Sequence, residues 1–339
     1  MRPVRPRHQI AIRTPSANIY ALNQRVCMKD LDVHKIEQRL ESSLRRLNES
    51  NILERNKELI LEFRDYAFSI GLSKSRILKY MNLLQKLSEW LNMPFDKANK
   101  NDIMRVMRHI EQKNYACWTK NDFKVILKRF YKWLNGDDEY PEAVKWIKCT
   151  MKKNNQKLPE DLISQREVES IIKAADRYRD KALVSLLYET GCRISEILNM
   201  RIKHVSFDDY GAKITVHGKT GMRRLRVVSS VPYLSAWIEI HPSRDDKESP
   251  LWVGLGTRNK GKPIRYSNVR VLIAKLAKKA GIKKRVNPHL FRHSRATHLA
   301  KHLTEAQMNQ YFGWVQGSDM PATYVHMSGR DVDYAILKL

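Results

Sequence analysis

Apolar residues recur at helical intervals through the first 136 residues of the chain and change their spacing afterwards. Val33, Ile36, Leu40, Leu44 and Leu47 fall on one face of a helix between Leu31 and Leu47. Such a stripe either packs on its own domain or offers itself to a partner. Four more helices are predicted by Leu59, Phe63, Tyr66 and Ile70; by Ile77, Met81, Leu84, Leu87 and Leu91; by Ile103, Val106 and Ile110; and by Phe123, Leu127, Phe130 and Leu134. Gly136 is placed to end the last of them in a left-handed conformation. From there to Ile163 the pattern loosens into a polar stretch with Pro141, Pro159 and the run Lys152 to Lys157, the expected linker.

Punctuation resumes at Ser164, which with Glu167 forms a capping box, Leu162 and Ile163 supplying the hydrophobic staple. Helices are predicted from about Gln165 to Ala175 and from Asp180 to Thr190, the second ended by Gly191. Between Lys213 and Val228 the period falls to two. Ile214 and Val216 alternate with polar residues, Lys219, Thr220 and Gly221 occupy a turn, and Leu225 and Val227 resume the alternation, so a hairpin is expected. Pro288 suits the first position of a further helix, and Thr304 with Gln307 caps another that Gly313 closes. The fold class is therefore mainly α with a small antiparallel β-sheet. The expected divisions are a basic arm and helix over 1–54, a helical domain over 55–140, a linker over 141–163 and a mixed α+β domain with a C-terminal tail over 164–339.

Charge changes the picture. The net charge of +27 exceeds what solubility needs and points to a polyanion, with nucleic acid foremost. No stretch approaches the roughly 18 uninterrupted apolar residues of a spanning helix, and no apolar run follows the basic opening Met1 to His8 as it would in a secretory signal. Cys27, Cys117, Cys149 and Cys192 lack paired spacing, which argues against a zinc site or disulfide framework and for a reducing, cytoplasmic setting. Lys120, Lys124, Lys128 and Lys132 recur every four residues without an acid at i+4, so the ridge is expected to face phosphates. From Ser249 to Thr304 there are fourteen Lys or Arg and no acidic residue. Two basic domains on a linker suggest a clamp around DNA.

Breaking a DNA backbone by transesterification needs a nucleophile, cations for the charge that develops on the phosphate, and a proton donor for the leaving oxygen. Arginine suits the second task, because its planar fork reaches two phosphate oxygens and stays charged. Arg193 stands at a helix start, and Arg292 lies one turn after His289. Each alone is ordinary in a chain with 63 Lys and Arg; their ordered combination is not.

That combination resembles the tyrosine recombinases, the phage integrase family, and within it the microbial Xer-like and archaeal integrases. Glu189-Thr190-Gly191-Cys192-Arg193-Ile194-Ser195-Glu196 is similar to the first signature box, and His217-Gly218-Lys219-Thr220-Gly221 with Arg223 and Arg224 to the hairpin bearing the family's lysine. His289-Leu290-Phe291-Arg292-His293-Ser294 resembles the His-x-x-Arg box, and Phe312-Gly313-Trp314 through Tyr324 the closing box.

The resemblance implies that Arg193 and Arg292 hold the scissile phosphate, Lys219 is general acid to the 5′ oxygen, and His289 is phosphate ligand and proton acceptor. Trp314 stands where many members carry a histidine and can donate an indole N–H, Glu196 orients the clamp, and Tyr324 is the nucleophile. Two nearby arginines are expected to lower the Tyr324 pKa from about 10. Of the rival tyrosines, Tyr311 reads as packed against Met308, and Tyr334 lies in a tail that docks on a neighbour or on its own domain. The implied function is site-specific strand exchange through a 3′-phosphotyrosine, needing neither ATP nor a metal, by a homo-tetramer on double-stranded DNA. The alternatives are a type IB topoisomerase-like DNA-relaxing enzyme and a non-catalytic DNA-binding protein of the same fold.

Overall fold

In a computed structural model, residues 32–149, 161–218 and 220–327 are described. The basic arm before Asp32, the run Lys152 to Lys157 with Pro159, Cys27, Lys219 and the tail with Tyr334 lie outside them.

The described residues of the N-terminal half form helices without a strand: α1 (Ile36–Asn48), α2 (Glu54–Ser69), α3 (Lys74–Leu91), α4 (Lys100–Gln112), α5 (Cys117–Leu134) and the short α6 (Glu142–Lys145). The predicted stripes face inward, with Leu59, Phe63, Ile77, Met81, Leu84, Ile103, Val106, Ile110, Phe123, Leu127 and Phe130 buried in one core. Phe63 sits in the middle, stacked on Tyr80 at 5.6 Å and edge-on to Phe130 at 5.3 Å. Leu40 and Leu44 of α1 pack on this same core beside the buried Leu47. From Leu40 on, the first stripe thus serves its own half of the chain, whereas Val33 precedes α1 and its carbonyl accepts from the Tyr266 N–H. Ile70 falls past the end of α2 and is exposed. Asn99 and Asp102 close a capping box at the start of α4, and Gly136 has φ 84 after α5. One buried polar residue crosses the core. Asn56 donates to Ser88 Oγ (2.8 Å) and to the Met93 carbonyl (3.0 Å) and accepts from Phe95 N (2.8 Å), so each of its amide atoms is satisfied.

The C-terminal half is built around α8 (Tyr178–Thr190), whose residues Ala182 to Leu187 are all buried. A helix apolar on every side belongs in the middle of a core. Around it lie α7 (Gln165–Ala174), α10 (Val231–Glu239) and α12 (Pro288–Leu299), with α9 (Ile194–Leu198), α11 (Tyr266–Lys279), α13 (Glu305–Phe312) and α14 (Met320–Met327) completing the set. The capping boxes at Ser164 and Thr304 form as expected.

The expected hairpin is β2 (Gly211–Gly218) paired antiparallel with β3 (Gly221–Val227), Ile214 opposite Leu225 and Gly218 opposite Gly221. A third strand, β1 (Val205–Asp208), was not expected. It pairs with the other edge of β2, and its four mostly exposed residues give no alternation to read. Glu189, near the end of α8, turns its buried carboxylate to the N–H groups of Val228, Ser229 and Ser230 and to Ser230 Oγ. This ties the turn after β3 to the central helix.

Candidate active site

The central helix ends at Gly191, in the left-handed region with φ 56; a Cβ there would meet the Phe312 ring at 2.5 Å. A glycine is required on both counts. The chain re-enters helix at once, with Arg193 as N-cap of α9. The Arg193 backbone N–H donates to Glu196 Oε2 (2.8 Å), and its Nη1 donates to Oε1 (3.0 Å). The Glu196 side chain is 2% exposed. Burial opposes its charge, yet hydrogen bonds and charge from Arg223, with those from Arg193, outweigh it and hold the carboxyl below its usual range. The orienting contact expected of Glu196 is present.

Arg292 lies on α12, whose first turn is capped by the Asn287 side chain. Only 7% exposed, it donates from Nη1 to the Gly191 carbonyl (2.9 Å) and from Nη2 to the Phe312 carbonyl (2.8 Å). These carbonyls close α8 and α13, where the helix dipoles favour a cation. Burial, and then the charge of Arg193, lower its pKa to about 10, so it stays cationic at neutral pH. Its guanidinium is 5.5 Å from the centre of the Trp314 ring.

Trp314 in turn stacks on Tyr324, ring centres 5.3 Å apart and planes 5° from parallel. Tyr324 on α14 is only 2% exposed. Burial pushes its pKa up and Arg292 only partly opposes this, so the expected lowering is reversed: removing the phenolate from water costs more than a cation returns. The Tyr324 hydroxyl hydrogen-bonds His293 Nδ1 at 2.7 Å. His293 was missed as a site residue, although it stands in the sequence one turn after His289 on the same helix. His289 itself is exposed in the first turn of α12.

The hairpin is anchored to the same centre. Thr220 Oγ1 donates to the Gly313 carbonyl (3.1 Å), which Arg193 Nη1 approaches at 3.5 Å. Arg223 and Arg295 were also passed over: Arg223 pairs with Glu196, and Arg295 donates to the Glu189 carbonyl at 2.9 Å. Tyr311 is structural as expected, its hydroxyl bonded to the Glu189 carbonyl and its pKa pushed by burial to about 12.

The lysine ridge has internal partners. Lys120 and Lys124 both pair with Glu111, at 3.5 and 2.7 Å. Lys128 bonds the Ile147 carbonyl and lies 4.6 Å over the Tyr140 ring, with Lys132 5.8 Å over the same ring. The expectation of lysines without an acid is corrected: the acid comes from α4, one helix away. Lys279 and Lys284, from the acid-free stretch, likewise pair with Asp176 and Glu167. Among the described residues no group of His, Cys, Asp or Glu is arranged to hold a metal, Cys117, Cys149 and Cys192 are free thiols, and no helix is long and apolar enough to cross a membrane.

Known proteins share both sequence and fold with this chain. Residues 161–330 match the phage integrase family. The chain is 30% identical over 247 residues to the tyrosine recombinase XerA of Pyrococcus horikoshii, covering 72% of this chain and 80% of that protein. Its fold matches that of the XerH site-specific recombinase bound to a palindromic difH substrate, with a TM-score of 0.64, 18% identity and 88% of each chain covered. It also matches a λ integrase tetramer bound to a Holliday junction, with a TM-score of 0.65, 15% identity and 84% and 80% covered. With four signature boxes in order and a relative this similar over four-fifths of its length, the chain belongs to the phage integrase family and is a site-specific tyrosine recombinase.

Proposed function

We propose that Tyr324 is the nucleophile of this recombinase. Its hydroxyl oxygen attacks the scissile phosphorus, the bond to the 5′ oxygen breaks, and a 3′-phosphotyrosine forms. Lys219 gives the departing 5′ oxygen its proton, so a 5′ hydroxyl is released. Arg193 and Arg292 take the non-bridging oxygens as charge builds on them, Trp314 donates its indole N–H to one, and His289 holds the phosphate and accepts the proton from Tyr324. Attack by a 5′ hydroxyl of another strand reverses the sequence, and the linkage energy is kept in the protein–DNA bond.

One observation carries this reading. Arg292 of the His-x-x-Arg box meets Trp314 and Tyr324 of the closing box, the Trp314 ring lying beside a buried guanidinium and stacked on a parallel phenol. A buried Tyr324 has to leave that stack to reach a phosphate, so the described arrangement is a resting one. Duplex DNA is the proposed substrate and a tetramer of this chain the proposed assembly, which the λ integrase tetramer on a Holliday junction supports. The divisions over 55–140 and 164–339 grip the duplex from different sides, joined through 141–163, of which Val144 and Ile147 pack in the helical core. Integration, excision and chromosome dimer resolution all use this chemistry.

Trapping on nicked suicide substrates tests the assignment. Tyr324→Phe should bind target DNA as the parent does and give no SDS-resistant adduct, because only the nucleophilic oxygen is lost. An adduct that persists in Tyr324→Phe and disappears in Tyr311→Phe would transfer the role to Tyr311.

A further inference from the structure

By the two-residue period of a strand, Arg223, Leu225 and Val227 of β3 share one face, and both Leu225 and Val227 are buried there. Opposite Arg223 in the register is the buried Val216. An arginine thus occupies a position that the alternation would give to an apolar residue, with its side chain 10% exposed. A cation so placed must be paired.

The pairing is thorough. Arg223 Nη1 and Nη2 donate to Glu196 Oε1 (3.0 Å) and Oε2 (2.7 Å), an end-on fork. Nε donates to the Tyr311 carbonyl (3.1 Å), and Nη2 also meets Cys192 Sγ (3.2 Å). Glycines leave room for it: a Cβ on Gly313 would stand 2.7 Å from Arg223 Nη1, and one on Gly218 would run into Glu196 Oε1. Arg193 reaches the same carboxylate with one side-chain nitrogen, Nη1, and its side chain is one-third exposed.

One buried carboxylate therefore serves two guanidiniums, and the fork belongs to the one turned away from solvent. We propose that Arg223 is a positioning residue for Arg193: by supplying the counter-charge of Glu196, it lets that carboxylate orient Arg193 without cancelling the charge that Arg193 brings to the scissile phosphate. This rests on the reading of Arg193 as a phosphate clamp. Without Arg223 the buried carboxylate has Arg193 as its remaining cation in this network, and the two collapse into a tighter pair.

The charge at stake can be read by changing the substrate. A methylphosphonate at the scissile position replaces one charged non-bridging oxygen by a methyl group, so the linkage no longer calls for a full clamp. Single-turnover cleavage at saturating enzyme is measured for the parent, Arg223→Gln, Arg223→Lys and Arg193→Gln on both substrates. An unfolded fraction then lowers the amplitude and leaves the rate constant unchanged. Arg223→Gln should cleave the phosphodiester about 10- to 100-fold more slowly, the range for partners that orient a functional group. Most of that deficit should vanish on the methylphosphonate, as it should for Arg193→Gln. Arg223→Lys, which keeps the charge, should stay within about 10-fold of the parent on the diester, and it carries the test by itself if the Gln variant does not fold. Equal deficits for Arg223→Gln on both substrates, or an Arg223→Lys as slow as Arg223→Gln or slower than this limit, would overturn the proposal while the clamp stands. Full diester cleavage by Arg193→Gln would remove the clamp reading itself.

Discussion

The two halves of the chain bury different things. From α1 to α6 the interior is aliphatic and aromatic, its deepest polar members, Asn56 and Ser88, are neutral and bonded to one another or to nearby backbone, and its one buried carboxylate among the described residues, Asp102, closes the capping box at the start of α4. From α7 to α14 the interior contains Glu189, Glu196 and Arg292, with Arg223 almost as deep. The basic residues follow the same trend: in the helical half Lys124 and Lys128 lie at the rim against Glu111 and Tyr140, whereas in the other half Arg292 and Arg223 enter the core. A buried charge is a poor source of stability. Its presence marks the half of the molecule where geometry and charge at one phosphate outweigh the last few kilocalories of packing.

The sharpest division falls on the chemistry. Lys219→Ala should slow cleavage by about 100- to 10,000-fold, the loss expected when a general acid is removed. Replacing the 5′ bridging oxygen by sulfur, a leaving group that needs little protonation, should restore most of that rate. Equal impairment on both substrates would give Lys219 another task.

Stability separates the halves next. Leu84 is fully buried in the helical core, and Leu84→Ala should cost about 2–5 kcal/mol in denaturant unfolding while leaving the cleavage rate constant of folded, DNA-saturated enzyme unchanged. Glu189→Ala strips the acceptor from three backbone N–H groups and a hydroxyl, for a cost of about 2–4 kcal/mol. It should slow cleavage as well, by about 10-fold, because the turn it holds follows β3 and the helix it belongs to leads into Arg193. If Leu84→Ala slows cleavage as much as Glu189→Ala, the two halves are one energetic unit and the contrast fails.

The same contrast explains what the sequence made legible. The helical half follows from periodicity: five stripes, five long helices, with errors at ends such as Ile70 and at the short α6, which falls in the expected linker and packs its Val144 in the helical core. The capping boxes at Ser164 and Thr304 and the left-handed Gly191 and Gly313 were equally readable, since each depends on neighbours a few residues away. What escaped is long-range. Arg223 meets Glu196 from 27 residues away and His293 meets Tyr324 from 31, and no local pattern announces either contact. A signal existed for Arg223, a charged residue in phase with Leu225 and Val227. The Tyr324 pKa was misjudged because the arginines were visible in the motifs and the burial was not. The partner of the lysine ridge escaped for the same reason, an acid sought on α5 being supplied by α4.

That ridge gives the smallest and most delicate test. Each phosphate neutralised by a protein cation adds about 0.9 to the slope of log affinity against log salt. Glu111 already answers one of the charges on Lys120 and Lys124, so the four lysines offer DNA at most three uncompensated charges, and changing all four to Gln should flatten the slope by no more than about 2.7. Glu111→Gln should act in the opposite sense. It frees one charge and should steepen the slope by about 0.9 if the ridge faces the duplex. Neither change should alter the cleavage rate constant at saturating DNA, since the ridge lies outside the residues proposed to act on the phosphate. A slope that stays the same in both variants would make Lys120, Lys124, Lys128 and Lys132 internal fastenings of α5 to α4 and Tyr140, and would leave phosphate binding to the half that buries its charges.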